Sequence, residues 1–220
     1  ELRRDFGQEV DFLDVAGTRA LVDSKRYFQS SLDRTAFHMH PLRYALMLAG
    51  KAEAAGARIF ENAPALGVAR EGAAFVVRLA GAEVRAANVV YCVSSLDRTL
   101  HAPTGRAVLP VATYVAVTEP LNQDVIRTRS AVSDSRRAGN YYRLIDEGRI
   151  LWGGAITTRI SPPARLASRM KADMLSVFPG LGDPRIDHAW AGLMGCARHF
   201  MPLIGGDGQG QWWATAFGGH

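Results

Sequence analysis

Asn88-Val89-Val90-Tyr91-Cys92-Val93 is a nearly continuous apolar run that closes on two small polar residues, Ser94-Ser95. Its length and β-branched content predict a strand. The lack of polar alternation predicts cover on both faces, as in a parallel sheet. Just upstream the pattern changes. Phe75-Val76-Val77-Arg78-Leu79 and Glu83-Val84-Arg85-Ala86 flank Gly81 with period two, which reads as a β-hairpin. Earlier still, Pro41 suits a first helical position, and Leu42, Ala45, Leu46, Ala49 and Ala52 form one stripe at helical spacing. Gly56 follows as a left-handed cap, and Arg58-Ile59-Phe60 reads as a short strand. A helix ending in Ala-Gly and running at once into a strand is an α/β connection. The polar N-terminal stretch predicts a short helix from Asp11 to Ala20 and a strand from Ser24 to Leu32, turning at Asp33-Arg34.

Downstream the chain is richer in strands. Val108 to Glu119 reads as one strand, with Pro110 near its start where a missing donor is tolerated. Tyr141-Tyr142-Arg143-Leu144-Ile145 and Arg149-Ile150-Leu151-Trp152-Gly153 pair across Asp146-Glu147-Gly148 as a hairpin. Ser161 is expected to cap a helix beginning at Pro162-Pro163, with Leu166, Met170, Met174 and Phe178 on one side and Pro179-Gly180 as its stop. Arg185 to Gly192 and Trp212 to Ala216 are further strands, the last of them expected to return to the first module. The fold class is therefore α/β (α+β): an α/β module followed by a mostly antiparallel sheet with helices on one face.

Composition narrows the function classes. Of 220 residues 48% are hydrophobic and 21% charged, which excludes a disordered chain. No run of about 18 uncharged apolar residues occurs, so no membrane helix is expected. The net charge of +5 is dispersed, without the one-sided basic clustering that nucleic-acid binding needs. Two cysteines, Cys92 and Cys196, are too few for a disulfide framework or a zinc site. Both lie in apolar stretches and read as buried free thiols in a reducing cytoplasm. The chain begins at Glu1 rather than Met, which suggests a segment of a longer protein.

Neither G-x-S-x-G, H-E-x-x-H nor a P-loop is present. His38 and His40 at i and i+2 could chelate a metal, but no neighbouring Asp, Glu or Cys completes a set, and His40 reads as a helix-entry residue; no metal is expected. The glycine cluster Gly205-Gly206-Asp207-Gly208-Gln209-Gly210 has the wrong spacing and context for a dinucleotide fingerprint and reads as a turn. Tyr141, Tyr142, Arg143, Trp152, Trp190, Arg198, Trp212 and Trp213 form an aromatic and arginine set. Most of the aromatics suit a core. Arg143 and Arg198, flanked by apolar residues, each need a partner: a bound anion, a substrate carboxylate, a flavin carbonyl or an internal acid.

The ordered segments can then be taken together: His38-Met39-His40-Pro41-Leu42, Gly56 to Glu61, Val84 to Val90, Thr118-Glu119-Pro120-Leu121, Leu151-Trp152-Gly153-Gly154, Ala189 to Gly192, Met201-Pro202-Leu203-Ile204-Gly205, and Ala216-Phe217-Gly218-Gly219-His220. Their succession resembles the FAD-dependent amino-acid and amine oxidoreductases of the D-amino-acid-oxidase superfamily, above all its glycine-oxidase and gamma-glutamylputrescine-oxidase branch. Two features of that family are missing. Its opening strand, G-x-G-x-x-G turn and helix do not occur here, and its closing G-x-x-G-H-G loop stops at His220. The resemblance therefore implies a fragment: 1–32 as a substrate-side entry segment, 33–104 as a partial FAD-binding module, 105–195 as the substrate-binding domain, and 196–220 as a truncated return to the FAD-binding module.

Residue by residue, the resemblance implies the following roles. Ala65, on the strand after the first helix, meets the adenine through its backbone. Ser94 ends a strand close to the flavin and its ribityl chain. Gly218, Gly219 and His220 pass along the pyrimidine edge of the ring, where close approach forbids a Cβ. Arg198 approaches flavin or substrate, and Tyr142, Arg143 and Trp190 line the substrate side. The implied partner is a small-molecule amine or amino acid, with FAD as cofactor and no nucleic acid or membrane. The implied reaction moves a hydride from the carbon bearing a neutral amine to flavin N5 and leaves an imine. The alternative is a non-catalytic module that binds a ligand or partner chain. Bare sheet edges in such a fragment predict self-association.

Overall fold

The computed structural model describes residues 2–136, 138–160 and 164–218. In chain order the first elements are α1 (Leu2–Phe6), β1 (Val10–Leu13), α2 (Val15–Leu21), β2 (Ser30–Asp33), α3 (Pro41–Ala54), β3 (Gly67–Glu71), β4 (Ala74–Leu79), β5 (Ala82–Ala86) and β6 (Val89–Tyr91). They are followed by α4 (Ala102–Ala107), β7 (Val108–Thr118), β8 (Val132–Ser133), β9 (Tyr141–Leu144), β10 (Ile150–Thr157), α5 (Leu166–Val177), β11 (Ile186–Ala197), β12 (Leu203–Gly206) and β13 (Gln211–Thr215). By their contacts these elements fall into two compact units. One comprises Glu1–Met39, Thr113–Ile156 and Ser161–Gly192; the other comprises His40–Ala112, Thr157–Ile160 and Leu193–His220.

The first unit rests on a five-stranded sheet of order β11-β7-β10-β9-β8. Its β9–β10 hairpin is antiparallel, with Leu144 opposite Ile150, Arg143 opposite Leu151, Tyr142 opposite Trp152 and Tyr141 opposite Gly153. The turn works because Glu147 and Gly148 both take positive φ, 63° and 71°. On one sheet face Tyr142 stacks on Trp152, ring centroids 4.8 Å apart, and Phe178 meets both rings edge-on. Met170 and Met174 of α5 and Phe178 just after it are buried, as the spacing along that helix predicts, and Val177 is buried with them. The expected Ser161-Pro162-Pro163 start of this helix lies outside the described residues.

At the N-terminus the sequence reading needs correction. Asp11 to Leu13 belongs to a strand paired with β2, and the helix starts only after Asp14, whose carboxylate accepts from Gly17 N at 2.8 Å. Of the expected Ser24–Leu32 strand only the last three residues form a ladder, within β2, which runs on into the expected turn at Asp33. Ser24 is instead pinned by its hydroxyl, which donates to the Val177 carbonyl at 2.7 Å.

The second unit contains two small sheets. β3, β4 and β5 form an antiparallel meander turning at Gly72 and Gly81, both at positive φ. In the other, of order β12-β13-β6, β13 runs parallel to β6 with Trp212 opposite Val90 and Trp213 opposite Tyr91. The last strand thus returns to β6, and the parallel pairing expected of that apolar run is present. His101 lies between the rings of Tyr91 and Trp213, at centroid distances of 4.5 and 5.4 Å, and covers one face. The other face is bare, against the expectation of cover on both sides: Val90 is 59% exposed, Trp212 47% and Ile204 73%.

Four further readings change in this unit. α3 has the predicted extent, an N-cap from His40 and a left-handed Gly56, but none of its residues is buried. Arg58-Ile59-Phe60 forms no strand; the Arg58 guanidinium sits over the exposed Phe60 ring instead. Gly205 and Gly206 close strand β12 rather than a turn, because the rings of Trp213 and Trp212 lie where their Cβ atoms would stand. Cys92 is exposed, since the covered strand stops at Tyr91; Cys196 is buried as expected.

Candidate functional site

Within the second unit, the chain leaves the parallel strands β6 and β13 through two residues in the left-handed region, Ser94 (φ 50°) and Ala216 (φ 60°). Non-glycine residues hold that conformation only where surrounding contacts fix it. Those contacts converge on Gly195 near the end of β11. A Cβ there would overlap the Ser94 hydroxyl and come within 2.8 Å of Val108 Cγ1. Gly218 N donates to Gly195 O at 2.9 Å, Cys196 Sγ donates to Gly218 O at 3.7 Å, and Phe217 bridges to Cys196. A Cβ on Gly218 would lie 2.5 Å from Gly195 O. Beneath, Val108, Ala197 and Ala216 form a small buried cluster against which Leu203 packs.

The carboxyl ends of parallel strands are where α/β sheets bind ligands, because backbone groups left unpaired by the sheet point outward there. One observation bears on a flavin at this place: the Ser95 hydroxyl is buried with no hydrogen-bond partner among the described residues. Gly195 and Gly218 are required by the chain's own packing, because the Ser94 hydroxyl, Val108 Cγ1 and the Gly195 carbonyl stand where their Cβ atoms would come. The Ser95 hydroxyl would suit the ribityl portion of FAD. For its pyrophosphate the described residues offer no glycine-rich turn joining a strand to a helix.

Ser94 and Gly218 are therefore brought together. Ala65 is not part of that convergence: it is half-buried in the irregular lead-in to β3, one residue before Leu66 N donates to Arg78 O, and so sits before the strand rather than on it. Gly219 and His220 lie outside the described residues. Arg198, just past β11, is exposed and makes no hydrogen bond or ion pair among the described residues.

In the first unit, the sheet face opposite the Tyr142–Trp152 core carries the rest. Tyr141 and Arg143 share this face by strand alternation. A Cβ on Gly153 would fall inside the Tyr141 ring, so that ring lies across the β10 backbone, its hydroxyl 3.4 Å from Thr113 Oγ1. Gly192 faces the Thr113 methyl, which puts Trp190, two residues earlier on β11, on the same side. Tyr141 is 38% exposed and Trp190 45%. Arg143 Nη1 donates to His38 Nδ1 at 2.7 Å and to the Met39 carbonyl at 3.0 Å. No carboxylate pairs with it among the described residues.

Tyr142, expected on this face, belongs to the core instead, 1% exposed. Burial, and then the nearby Tyr27 hydroxyl, push its phenol far above the ordinary tyrosine range, so it takes no part as a proton acceptor. The reason is register: with Trp152 opposite Tyr142 and glycine opposite Tyr141, the larger pair is driven inward. The sequence reading named Tyr141 and Gly153 without giving either a place on this face, although the three-residue turn sets the register that puts them there. The two histidines have separate partners. His38 Nε2 pairs with the Arg129 carbonyl at 2.9 Å, His40 caps α3, and no cluster of three metal-ligating side chains occurs among the described residues.

The family model for FAD dependent oxidoreductases (DAO) matches residues 1–220. Among curated proteins, the chain is 28% identical over 229 residues to a probable oxidoreductase, OrdL, of Haemophilus influenzae, covering 100% of this chain and 52% of that protein. It is 27% identical over 218 residues to gamma-glutamylputrescine oxidoreductase of Escherichia coli, covering 97% of this chain and 51% of that protein. The chain thus spans about half the length of the curated relatives it matches. Among solved structures, glycine oxidase of Geobacillus kaustophilus superposes with a TM-score of 0.84 at 17% identity, covering 97% of this chain and 59% of that one. L-proline dehydrogenase of P. horikoshii gives 0.82 at 18% identity, covering 100% and 62%. At these identities the likeness shows the fold.

Proposed function

The chain belongs to the FAD dependent oxidoreductase family, and from that premise we propose that it supplies the flavin-edge strands and the substrate-binding sheet of an enzyme oxidising a C–N bond of an amine or amino acid. The observation that carries this reading is the meeting of Ser94, Gly195 and Gly218 at the carboxyl ends of β6 and β13, beside the buried and unpartnered Ser95 hydroxyl. Residues 40–112 and 193–220 form the cofactor side, and 1–39, 113–156 and 161–192 the substrate side, which moves His38 out of the cofactor side expected at 33–104 and Gly195 out of the substrate side expected at 105–195. FAD, when bound, would supply the two-electron acceptor for a hydride leaving the carbon next to the amine, with water available to hydrolyse the imine product.

The chain's own residues position and shield. Arg143, charged and not paired to any carboxylate among the described residues, receives the substrate carboxylate and orients it. Tyr141 and Trp190 form apolar walls on the same sheet face and shield the substrate held there from water. No protein base is required when the amine arrives neutral. A cytoplasmic setting accords with the two unpaired cysteines.

The test is a fluorescence titration of the protein with FAD, followed by anaerobic addition of glycine or putrescine. Saturable quenching and then bleaching of the bound flavin is the expected result. Binding without bleaching by any amine or amino acid favours the non-catalytic module. Absence of FAD binding by the protein overturns the reading.

A further inference from the structure

We infer that His38 is a positioning residue for Arg143, holding the guanidinium on the open sheet face with one donor edge free for a substrate carboxylate. The inference rests on the reading above that Arg143 receives that carboxylate. A guanidinium can only donate, so the 2.7 Å contact requires His38 Nδ1 to accept. The imidazole is then neutral, with its proton on Nε2. That proton has a receiver, the Arg129 carbonyl at 2.9 Å. The two contacts are consistent with one tautomer and with no other charge state, because a doubly protonated ring would set an N–H against an N–H.

Both hydrogens of Arg143 Nη1 are used in this arrangement, one by His38 Nδ1 and one by the Met39 carbonyl. Nε and Nη2 have no partner among the described residues, and these two nitrogens make up the edge that takes a carboxylate with two parallel hydrogen bonds. The chemistry of the anchors matters as much as their place. An arginine oriented by Asp or Glu would have its charge largely cancelled before a ligand arrived. An imidazole nitrogen and a carbonyl oxygen fix the same group without neutralising it. The arrangement therefore favours amines that carry a carboxylate over those that do not.

The experiment uses the flavin-loaded protein, with acetate as the probe and its affinity read by titration calorimetry. Arg143→Ala is expected to abolish acetate binding. His38→Ala is expected to weaken it about tenfold, the scale of one hydrogen bond to a charged group. His38→Asn, whose Oδ1 stands near the place of Nδ1, is expected to recover most of that loss; His38→Gln, which reaches toward the Arg129 side, is not. With glycine as substrate the loss in His38→Ala is expected in KM rather than kcat. Nitrogen NMR of the imidazole is expected to show Nδ1 unprotonated and Nε2 protonated. Normal acetate affinity in His38→Ala alongside loss in Arg143→Ala overturns the positioning role and leaves the carboxylate reading intact. Normal affinity in Arg143→Ala, or no acetate binding by the unsubstituted protein, overturns the carboxylate reading itself. The opposite tautomer overturns the role of His38 whatever the binding shows.

Discussion

Arg149 Nη1 donates to the Asp187 carboxylate at 2.7 Å and to the Thr118 carbonyl at 3.0 Å, tying the β10 end of the hairpin to β11 and β7. Arg185 pairs with the same carboxylate and, through its backbone N–H, with Glu119. The Arg149 hydrogen bond, helped by the charges of Arg185 and Arg149 itself, holds the Asp187 carboxyl below the usual carboxylate range. A carboxylate lowered on folding contributes stability at neutral pH, and that contribution is lost as pH falls through its lowered value. Asp187→Asn is therefore expected to lower Tm at neutral pH, with the gap to the unsubstituted chain closing on acidification. Thermal melts across a pH series check this, and a gap independent of pH counts against the ion pair as its source.

The Tyr142–Trp152–Phe178 cluster gives two contrasting expectations. Trp152→Ala removes a fully buried ring and is expected to cost about 3–5 kcal/mol, read from urea midpoints. Tyr142→Phe removes a hydroxyl that is buried without a partner among the described residues and is expected to fall within about 1 kcal/mol of the parent, on either side. A large loss in Tyr142→Phe would show that the hydroxyl is satisfied, by water or by Tyr27.

Gly218→Ala places a methyl 2.5 Å from the Gly195 carbonyl and 3.0 Å from Cys196 Sγ. Overpacking of this kind costs about 1–3 kcal/mol, and FAD affinity is expected to fall with it. Adding Cys196→Ala is expected not to restore binding, because the carbonyl is backbone and cannot withdraw. Fluorescence titration of both variants decides the point.

The bare face of β12-β13-β6 presents Val90, Trp212 and Ile204 to solvent. The 220-residue chain is expected to self-associate through this apolar surface. Sedimentation over a concentration series is expected to show a rising weight-average mass, and Trp212→Ser combined with Ile204→Thr is expected to restore the monomer. A concentration-independent monomer in the unsubstituted chain would contradict it.

What the sequence made legible was local. The β9–β10 hairpin follows from Asp146-Glu147-Gly148, the β4–β5 turn from Gly81, and the ends of α3 from Pro41 and Gly56, each being settled by a few neighbouring residues. β3 and β12 were missed because Gly67 and the Gly205-Gly206 pair weaken strand character, and partners distant in sequence supply what is lacking. The apolar stripe of α3 announced a helix correctly but not its burial. Ser94 and Gly218, singled out by the family likeness, do come together in the structure. Gly195, which joins them, lies in a strand whose far end the alternation did not reveal. The choice of Tyr142 over Tyr141 was an error of one residue, and in a strand one residue is the difference between inside and outside.

The His38–Arg143 bond joins residues 105 positions apart, whereas Tyr142 and Trp152 meet across a three-residue turn. Closing a long loop costs more entropy than closing a short one, so contacts of this separation form after the local hairpin is in place. The Tyr142–Trp152 pair is thus expected to form before the His38–Arg143 bond when the chain refolds.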